Sequence, residues 1–413
     1  MTLSPPVLRN RDYRLAFQAR VFAAMALQVQ AVIVGWQLYQ LHPDPLLLGM
    51  VGLVEAVPAI GFSFFSGHVV DTHKPARIYQ LSIAVLFLNA CALWLVVSPQ
   101  LNLSEKLQIA GLFAAVFVSG AARSFTSPSF FSLVPRVVPR SLFGAASAWN
   151  SFAYQIASII GPALGGLVFG KSNHVIAFSL PPVLALSGLA SSLFLSKEVR
   201  DYKSDREREP FVKSMKAGLS FVFGNRVLLS SLALDMFSVL FGGAVALLPF
   251  FADQILKAGS EGLGYLRAAP SVGSLVVALY LAIRPLPVIS GKTLLWVVAG
   301  FGAATVVFAL SRDFTLSMIA LGLAGAFDGV SMVIRGTILQ ILTPDQMRGR
   351  VSAVSSVFIT SSNEIGAFES GVAARLLGLV PSVVFGGIMT LIVVVTTAWK
   401  VPELRRTRIS QGE

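Results

Sequence analysis

The sequence predicts an all-α membrane protein of twelve transmembrane helices, arranged as two pseudo-symmetric six-helix bundles. Three observations carry that expectation. Of the 413 residues, 55% are hydrophobic and 13% charged, against about 25% charged in a soluble domain, and the mean hydropathy is +0.75. The apolar residues come in blocks of about twenty, the length a helix needs to cross the hydrocarbon core. The second half of the chain also repeats the pattern of the first. This composition excludes a disordered chain, a soluble globular enzyme and a coiled coil.

The apolar blocks lie near 15–40, 46–69, 77–98, 107–130, 143–169, 175–196, 226–252, 263–284, 293–311, 315–342, 351–376 and 382–401. Most connections are a few residues long, so consecutive helices should run antiparallel. Met1 to Arg14 is polar and basic, and the first block is too long for the apolar core of a cleavable signal peptide. The one long polar stretch, Lys197 to Lys216, predicts a cytoplasmic linker followed by a surface helix from Phe211 to Gly224. It divides the chain into bundles at 1–196 and 217–413, with 197–216 as the linker.

The net charge of +12 would point to nucleic acid on a soluble protein. Here most of the Lys and Arg residues sit on alternate loops, among them Arg9, Arg11, Arg14, Lys74, Arg77, Arg136, Arg348, Arg350, Arg405 and Arg406. That asymmetry marks the cytoplasmic side, so both termini are expected there, with no nucleic-acid partner. Cys91 stands alone and cannot form an intrachain disulfide. His42, His68, His73 and His174 fall at block ends without ligand spacing, so no metal site is expected. Gly291-Lys292-Thr293 resembles the end of a phosphate-binding loop, but Leu286 occupies the required first glycine. No cofactor is expected, and with no nucleophile–base set, no enzyme.

The internal repeat is dense. Gly52, Glu55, Pro58 and Gly61 align with Gly264, Arg267, Pro270 and Gly273. Pro139, Gly144, Ser147, Gly161 and Gly166 align with Pro344, Gly349, Ser352, Gly366 and Gly371, and Asn10-Arg11 aligns with Asn225-Arg226. Two homologous halves around a midplane cavity are the plan of a secondary transporter. The same alignment pairs intramembrane charges of opposite sign: Arg20 with Asp235, Arg123 with Asp328, Glu55 with Arg267. A charge at mid-bilayer costs about 2.5–3.5 kcal/mol on insertion scales, so each should face the bundle interior and have a partner. Asp328 and Arg335 are two helical turns apart and share a face. Glu364 and Glu369 have apolar counterparts, Ile159 and Leu164, and are not relics of the repeat. Either these ions carry substrate and protons, or they simply hold helices together.

Gly67-His68-Val69-Val70-Asp71 with His73, Lys74 and Arg77 resembles the GxxxD(R/K)xGR loop of the major facilitator superfamily. Ala157, Gly161-Pro162 and Gly165-Gly166 resemble its antiporter motif, a face that lets helices pack closely and bend. Further stretches, Leu234-Asp235-Met236-Phe237, Gly262 to Pro270, Arg348-Gly349-Arg350-Val351 and Phe368-Glu369-Ser370-Gly371, resemble the enterobactin-exporter-like, drug:proton antiporter-3 branch. The resemblance covers roughly residues 8 to 406. One departure stands out: the acidic residue often found in the first helix of this branch is absent, and Leu27-Gln28-Val29-Gln30 stands there.

That resemblance implies that spans 1, 4, 7 and 10 line the cavity. It makes Arg20, Arg123, Asp235, Asp328, Arg335, Glu364 and Glu369 candidates for the substrate and proton path. Gly67, Asp71 and Arg77 would form a conformational latch, Gly161 and Pro162 a flexible packing face, and Glu55 and Arg267 would have an outer-gate or structural role. The function expected is a monomeric secondary transporter, exporting a small organic or amphiphilic compound, siderophore-like or drug-like, against protons by alternating access. An importer, a lipid-related facilitator or a non-transporting receptor on the same fold are the alternatives.

Overall fold

The computed structural model describes residues 6–201, 211–284, 288–344 and 346–410, without the side chains of Phe64, His68, Asp71 and Arg140 or those of residues 6, 211–214, 409 and 410. The first half is built from α1 (Arg11–Leu41), α2 (Pro45–Thr72), α3 (Pro75–Val97), α4 (Glu105–Val137), α5 (Phe143–Lys171) and α6 (His174–Leu193). Two shorter helices follow, α7 (Lys197–Asp201) and α8 (Phe211–Gly224), the latter with the bounds that the amphipathic stretch predicts. The second half comprises α9 (Arg226–Gly242), the short turn α10 (Leu248–Phe250), α11 (Gly259–Ile283), α12 (Gly291–Leu310), α13 (Phe314–Leu342), α14 (Arg348–Leu377), α15 (Leu379–Lys400) and α16 (Pro402–Arg406).

The repeated Asn-Arg pair has a local cause. Asn10 and Asn225 are both N-cap residues with extended backbone, and their side-chain oxygens accept the amides of Tyr13 and Leu228. An N-cap oxygen satisfies an amide that the first turn of a helix leaves unpaired. The first helix of each half therefore starts on the same signal. The repeat extends to packing: α1 lies against α5 and α6 as α9 lies against α14 and α15. Likewise α3 packs on α4 and α6 as α12 packs on α13 and α15.

Among the described residues, eleven helices are long and apolar enough to cross a membrane. The expected twelfth, α14, has 30 residues, ample length at 1.5 Å per residue. Its polarity sets it apart, since it carries Arg348, Arg350, Glu364, Glu369 and Arg375.

The chain forms two compact units. One holds Met1–His42, Val54–Arg208 and Gly259–Ala268; the other holds Pro43–Leu53, Glu209–Ala258 and Ala269–Glu413. The first turns of α2 thus belong with the second unit and those of α11 with the first. Glycines make both attachments. In the first unit, a Cβ on Gly166 would lie 2.4 Å from the Ser260 carbonyl oxygen and 2.8 Å from Gly264 Cα. In the second, a Cβ on Gly49 would lie 2.9 Å from Gly371 Cα. Small residues at such crossings let backbones touch, and dispersion then holds helices that lipid cannot drive together.

The α11–α13 crossing is tighter still, because a Cβ on Gly273 would come within 1.8 Å of the Gly322 carbonyl oxygen. Gly273→Ala is expected to destabilise by about 1–3 kcal/mol, the usual cost of overpacking. Gly336, over which space is open, supplies the control. A thermal midpoint lowered equally by Gly273→Ala and Gly336→Ala would contradict this account of the crossing.

One small feature escapes sequence patterning. Strand β1 (Val288–Ser290) pairs antiparallel with β2 (Arg408–Ser410), Ile289 opposite Ile409. The segment after α15 thereby folds back onto the α11–α12 connection. Leu404 of α16 is fully buried, and Arg226 bonds Glu403 at 3.0 Å.

Candidate functional site

The seventh apolar block is not one continuous helix. α9 stops at Gly242, Ala244–Leu247 forms a 3-10 turn, α10 follows, and Phe251–Ile255 forms a π turn. The cause is local, since adjacent glycines at 242 and 243 weaken the helix and Pro249 lacks an amide to continue it. The carbonyl freed at Gly243 accepts a hydrogen bond from Ser370 Oγ at 2.8 Å, and Thr390 Oγ1 donates to the Ser238 carbonyl at 3.1 Å. Interrupted membrane helices recur where a site is built.

Two turns before the break sits the principal charge centre of the second unit. Asp235 Oδ2 is in close contact with Arg335 Nη1, and Asp328 Oδ1 lies 3.7 Å from Arg335 Nη2. Arg335 Nε donates to Ser331 Oγ at 3.2 Å. One guanidinium therefore serves two carboxylates and a hydroxyl, a use of its fork of donors that a lysine could not match. The two acids differ in access: Asp235 and Arg335 side chains are 8% and 7% exposed, Asp328 is 37% exposed. A small cleft, with room for about one water molecule, is lined by Asp235, Asp328, Ser238, Ser331, Phe301 and Phe327. The outcome is a locked ion pair with a second, reachable carboxyl on a cleft that is apolar on one side. The sequence pointed to Asp235, Asp328 and Arg335; neither Phe301 nor Phe327 stands out in it, because a phenylalanine in an apolar helix carries no pattern of its own.

The first unit distributes its charges differently. Arg123 pairs with Glu55 at 2.8 Å. Arg267 donates to the Ala31 carbonyl at 3.1 Å, so Glu55 and Arg267, matched by the repeat, have separate partners. Arg20 donates to Ser127 Oγ at 3.0 Å and stands over the Phe130 ring at 5.6 Å. The glutamines that replace the first-helix acid are engaged as well. Gln28 bonds Ser158 at 2.7 Å, and Gln30 bonds Ser119 at 2.8 Å, a hydroxyl shared with Asn89.

The antiporter-like face of α5 meets α1 and the start of α11. A Cβ on Gly161 would reach Gln28 Cβ at 2.7 Å, and one on Gly264 would reach the Pro162 carbonyl at 2.6 Å. Glu364 is half-buried, and its carbonyl oxygen lies 2.7 Å from where a Cβ on Gly52 would stand. Glu369 is half-buried and makes no hydrogen bond or ion pair among the described residues.

The latch region departs from its expected form. α2 stays helical through Thr72, and Pro75 restarts the chain as α3, so Gly67 and Asp71 lie in the last turns of a helix and the connection is His73-Lys74. Space over Gly67 is open. The Asp71 side chain lies outside the described residues. Arg77 and Lys74 bond Asp201 of α7 at 3.0 and 2.7 Å. Lys74 and Arg77 hold the Asp201 carboxyl below its ordinary range. A depressed folded value means this clasp is complete above the unfolded carboxylate value and lost as pH falls through the lower, folded one. Asp201→Asn is expected to raise amide exchange of residues 72–78 at neutral pH; unchanged exchange would argue that the pairing is incidental.

The model of the transmembrane secretion effector family matches residues 2–411. An enterobactin exporter of Shigella boydii serotype 4 is 24% identical over 409 residues, covering 96% of this chain and 93% of the relative. Among solved structures, a POT family transporter bound to 5-aminolevulinic acid superposes with a TM-score of 0.77 at 10% identity, covering 96% and 97% of the two chains. A bacterial homologue of the iron transporter ferroportin, in its inward-facing state, gives 0.67 at 17% identity, covering 95% and 100%.

Proposed function

The chain belongs to the transmembrane secretion effector family of the major facilitator superfamily, a family of transporters and not an enzyme class, and is a multi-pass membrane transporter of exporter type; from that premise we propose that it expels a small organic compound in exchange for protons. The observation that carries the coupling is the unequal pair of acids on Arg335. Asp235 is sealed against the guanidinium, whereas Asp328 shares it at longer range and opens on the cleft.

Asp328 is the proton-binding member of the pair. Protonation cancels its attraction to Arg335 and leaves that guanidinium to Asp235 alone. Release of the proton restores the three-charge cluster. A cargo group entering the cleft competes for the same donors, so proton and cargo bias two states of one ionic centre in opposite directions. Alternating access follows by movement of one compact unit against the other. Both termini lie in the cytoplasm of a bacterial cell, as the cation asymmetry supports, and the transporter acts as a monomer. The siderophore named for the relative sets the size class of cargo worth trying first.

The test is direct. Purified protein is reconstituted in pyranine-loaded liposomes, and aromatic siderophore precursors and amphiphilic drugs are added under an imposed pH gradient. Exchange predicts dye signals on addition of a transported compound, scaling with the gradient. Uptake or release of such a compound with no accompanying proton flux would remove the coupling claim.

A further inference from the structure

We propose that Arg20 anchors a binding site for the anionic oxygens of an organic acid with an aromatic body. The inference rests on the export reading and adds to it the charge class of the cargo.

The starting point is an imbalance. Arg123 has Glu55 at 2.8 Å, and Arg335 has Asp235 and Asp328. Arg20, also within a membrane helix, has no carboxylate partner among the described residues. The single acid of α1, Asp12, accepts the backbone amide of Ser196 at 2.9 Å and is engaged there. Arg20 instead holds a neutral hydroxyl, Ser127 Oγ, and a ring face, Phe130. Its Nε is shielded from solvent and has no acceptor among the described residues.

A second orphan donor belongs to the same cluster. The Tyr79 hydroxyl of α3 is buried with no hydrogen-bond partner among the described residues, and its ring lies 6.0 Å from that of Phe130. Buried polar atoms are nearly always paired, and each exception calls for an explanation. Two lone donors around one phenyl ring, with a cation and no anion, describe a site lacking its acceptor. The Nε edge of a guanidinium matches a carboxylate in a bidentate fork.

The surroundings specify the rest of the ligand. Phe17, one turn before Arg20 on α1, packs edge-on against Trp149 at 5.6 Å, and Trp149 against Phe152 at 5.3 Å. Phe152 is 39% exposed and Tyr154 of the same helix 55% exposed. An aromatic row running to an accessible edge beside an uncompensated cation suits an aryl carboxylate better than an inorganic anion. The phosphate of an acidic phospholipid offers the same oxygens, and the experiment separates the two sources.

Full-length protein in phosphatidylcholine nanodiscs is titrated with 2-naphthoate and with the neutral isostere 2-naphthamide. Binding of naphthoate about tenfold tighter, a difference of about 1.4 kcal/mol, is expected in the wild type. Arg20→Gln brings the ratio to about one, and Arg20→Lys, which keeps the charge without the fork, leaves an intermediate ratio. Should Arg20→Gln fail to fold, the wild type and Arg20→Lys suffice. Equal affinity for acid and amide in the wild type, or an undiminished ratio in either variant, overturns the proposal. Loss of the preference when phosphatidylglycerol is added overturns the assignment to cargo, the lipid headgroup then being the occupant. Because the readout is binding, it fails or succeeds independently of proton exchange and of transport direction.

Discussion

Arg335→Leu is expected to destabilise the protein by about 3–5 kcal/mol, the range for breaking a buried ion pair from one side. Asp235, 8% exposed, would be left buried without its partner, and Asp328 would lose the same cation. The measured consequence is a much lower thermal midpoint in detergent and poor accumulation in the membrane. Asp235→Leu combined with Arg335→Leu should recover a good part of the loss, because removing both charges leaves nothing stranded. If the single variant melts with the wild type, or the double variant melts below the single, the centre is not the buried pair described here.

Asp328→Asn should do the opposite. Its carboxylate is partly exposed and lies 3.7 Å from Arg335, so an isosteric amide leaves packing and the Asp235–Arg335 contact intact. Expression and thermal midpoint should stay within about 0.5 kcal/mol of wild type. Proton-driven flux, in contrast, should fall to the level of protein-free liposomes, since an amide cannot take up and release a proton. Gradient-driven transport at the wild-type rate by Asp328→Asn would end the case for this residue as the coupling group.

Much of this architecture is legible in the sequence because its causes are repeated. The Asn10 and Asn225 caps, the glycines at helix crossings and the apolar blocks each occur in both halves, and each acts through local chemistry. The charge centre was legible for a related reason: Asp235, Asp328 and Arg335 are too costly in a bilayer to be casual. What the sequence could not show is pairing. Repeat arithmetic matches Arg20 with Asp235 and Glu55 with Arg267, yet Asp235 takes Arg335 and Glu55 takes Arg123. A repeat fixes where a residue stands in its own half, and the partner depends on which neighbouring helix brings a side chain within reach. The β1–β2 pairing was hidden for a different reason, since two three-residue strands far apart in the chain leave no periodicity to detect.

The membership of the two units carries one more consequence, for how the gene can be cut. A fragment ending near residue 200 keeps α1 to α6 but lacks Gly259–Ala268, which belong with it; its complement lacks Pro43–Leu53. Each fragment made alone would leave a groove of glycine backbone, around Gly166 in one and Gly371 in the other, unfilled. Separately produced fragments should therefore be degraded, and co-production should rescue both, so that each half serves as a folding template for its sibling.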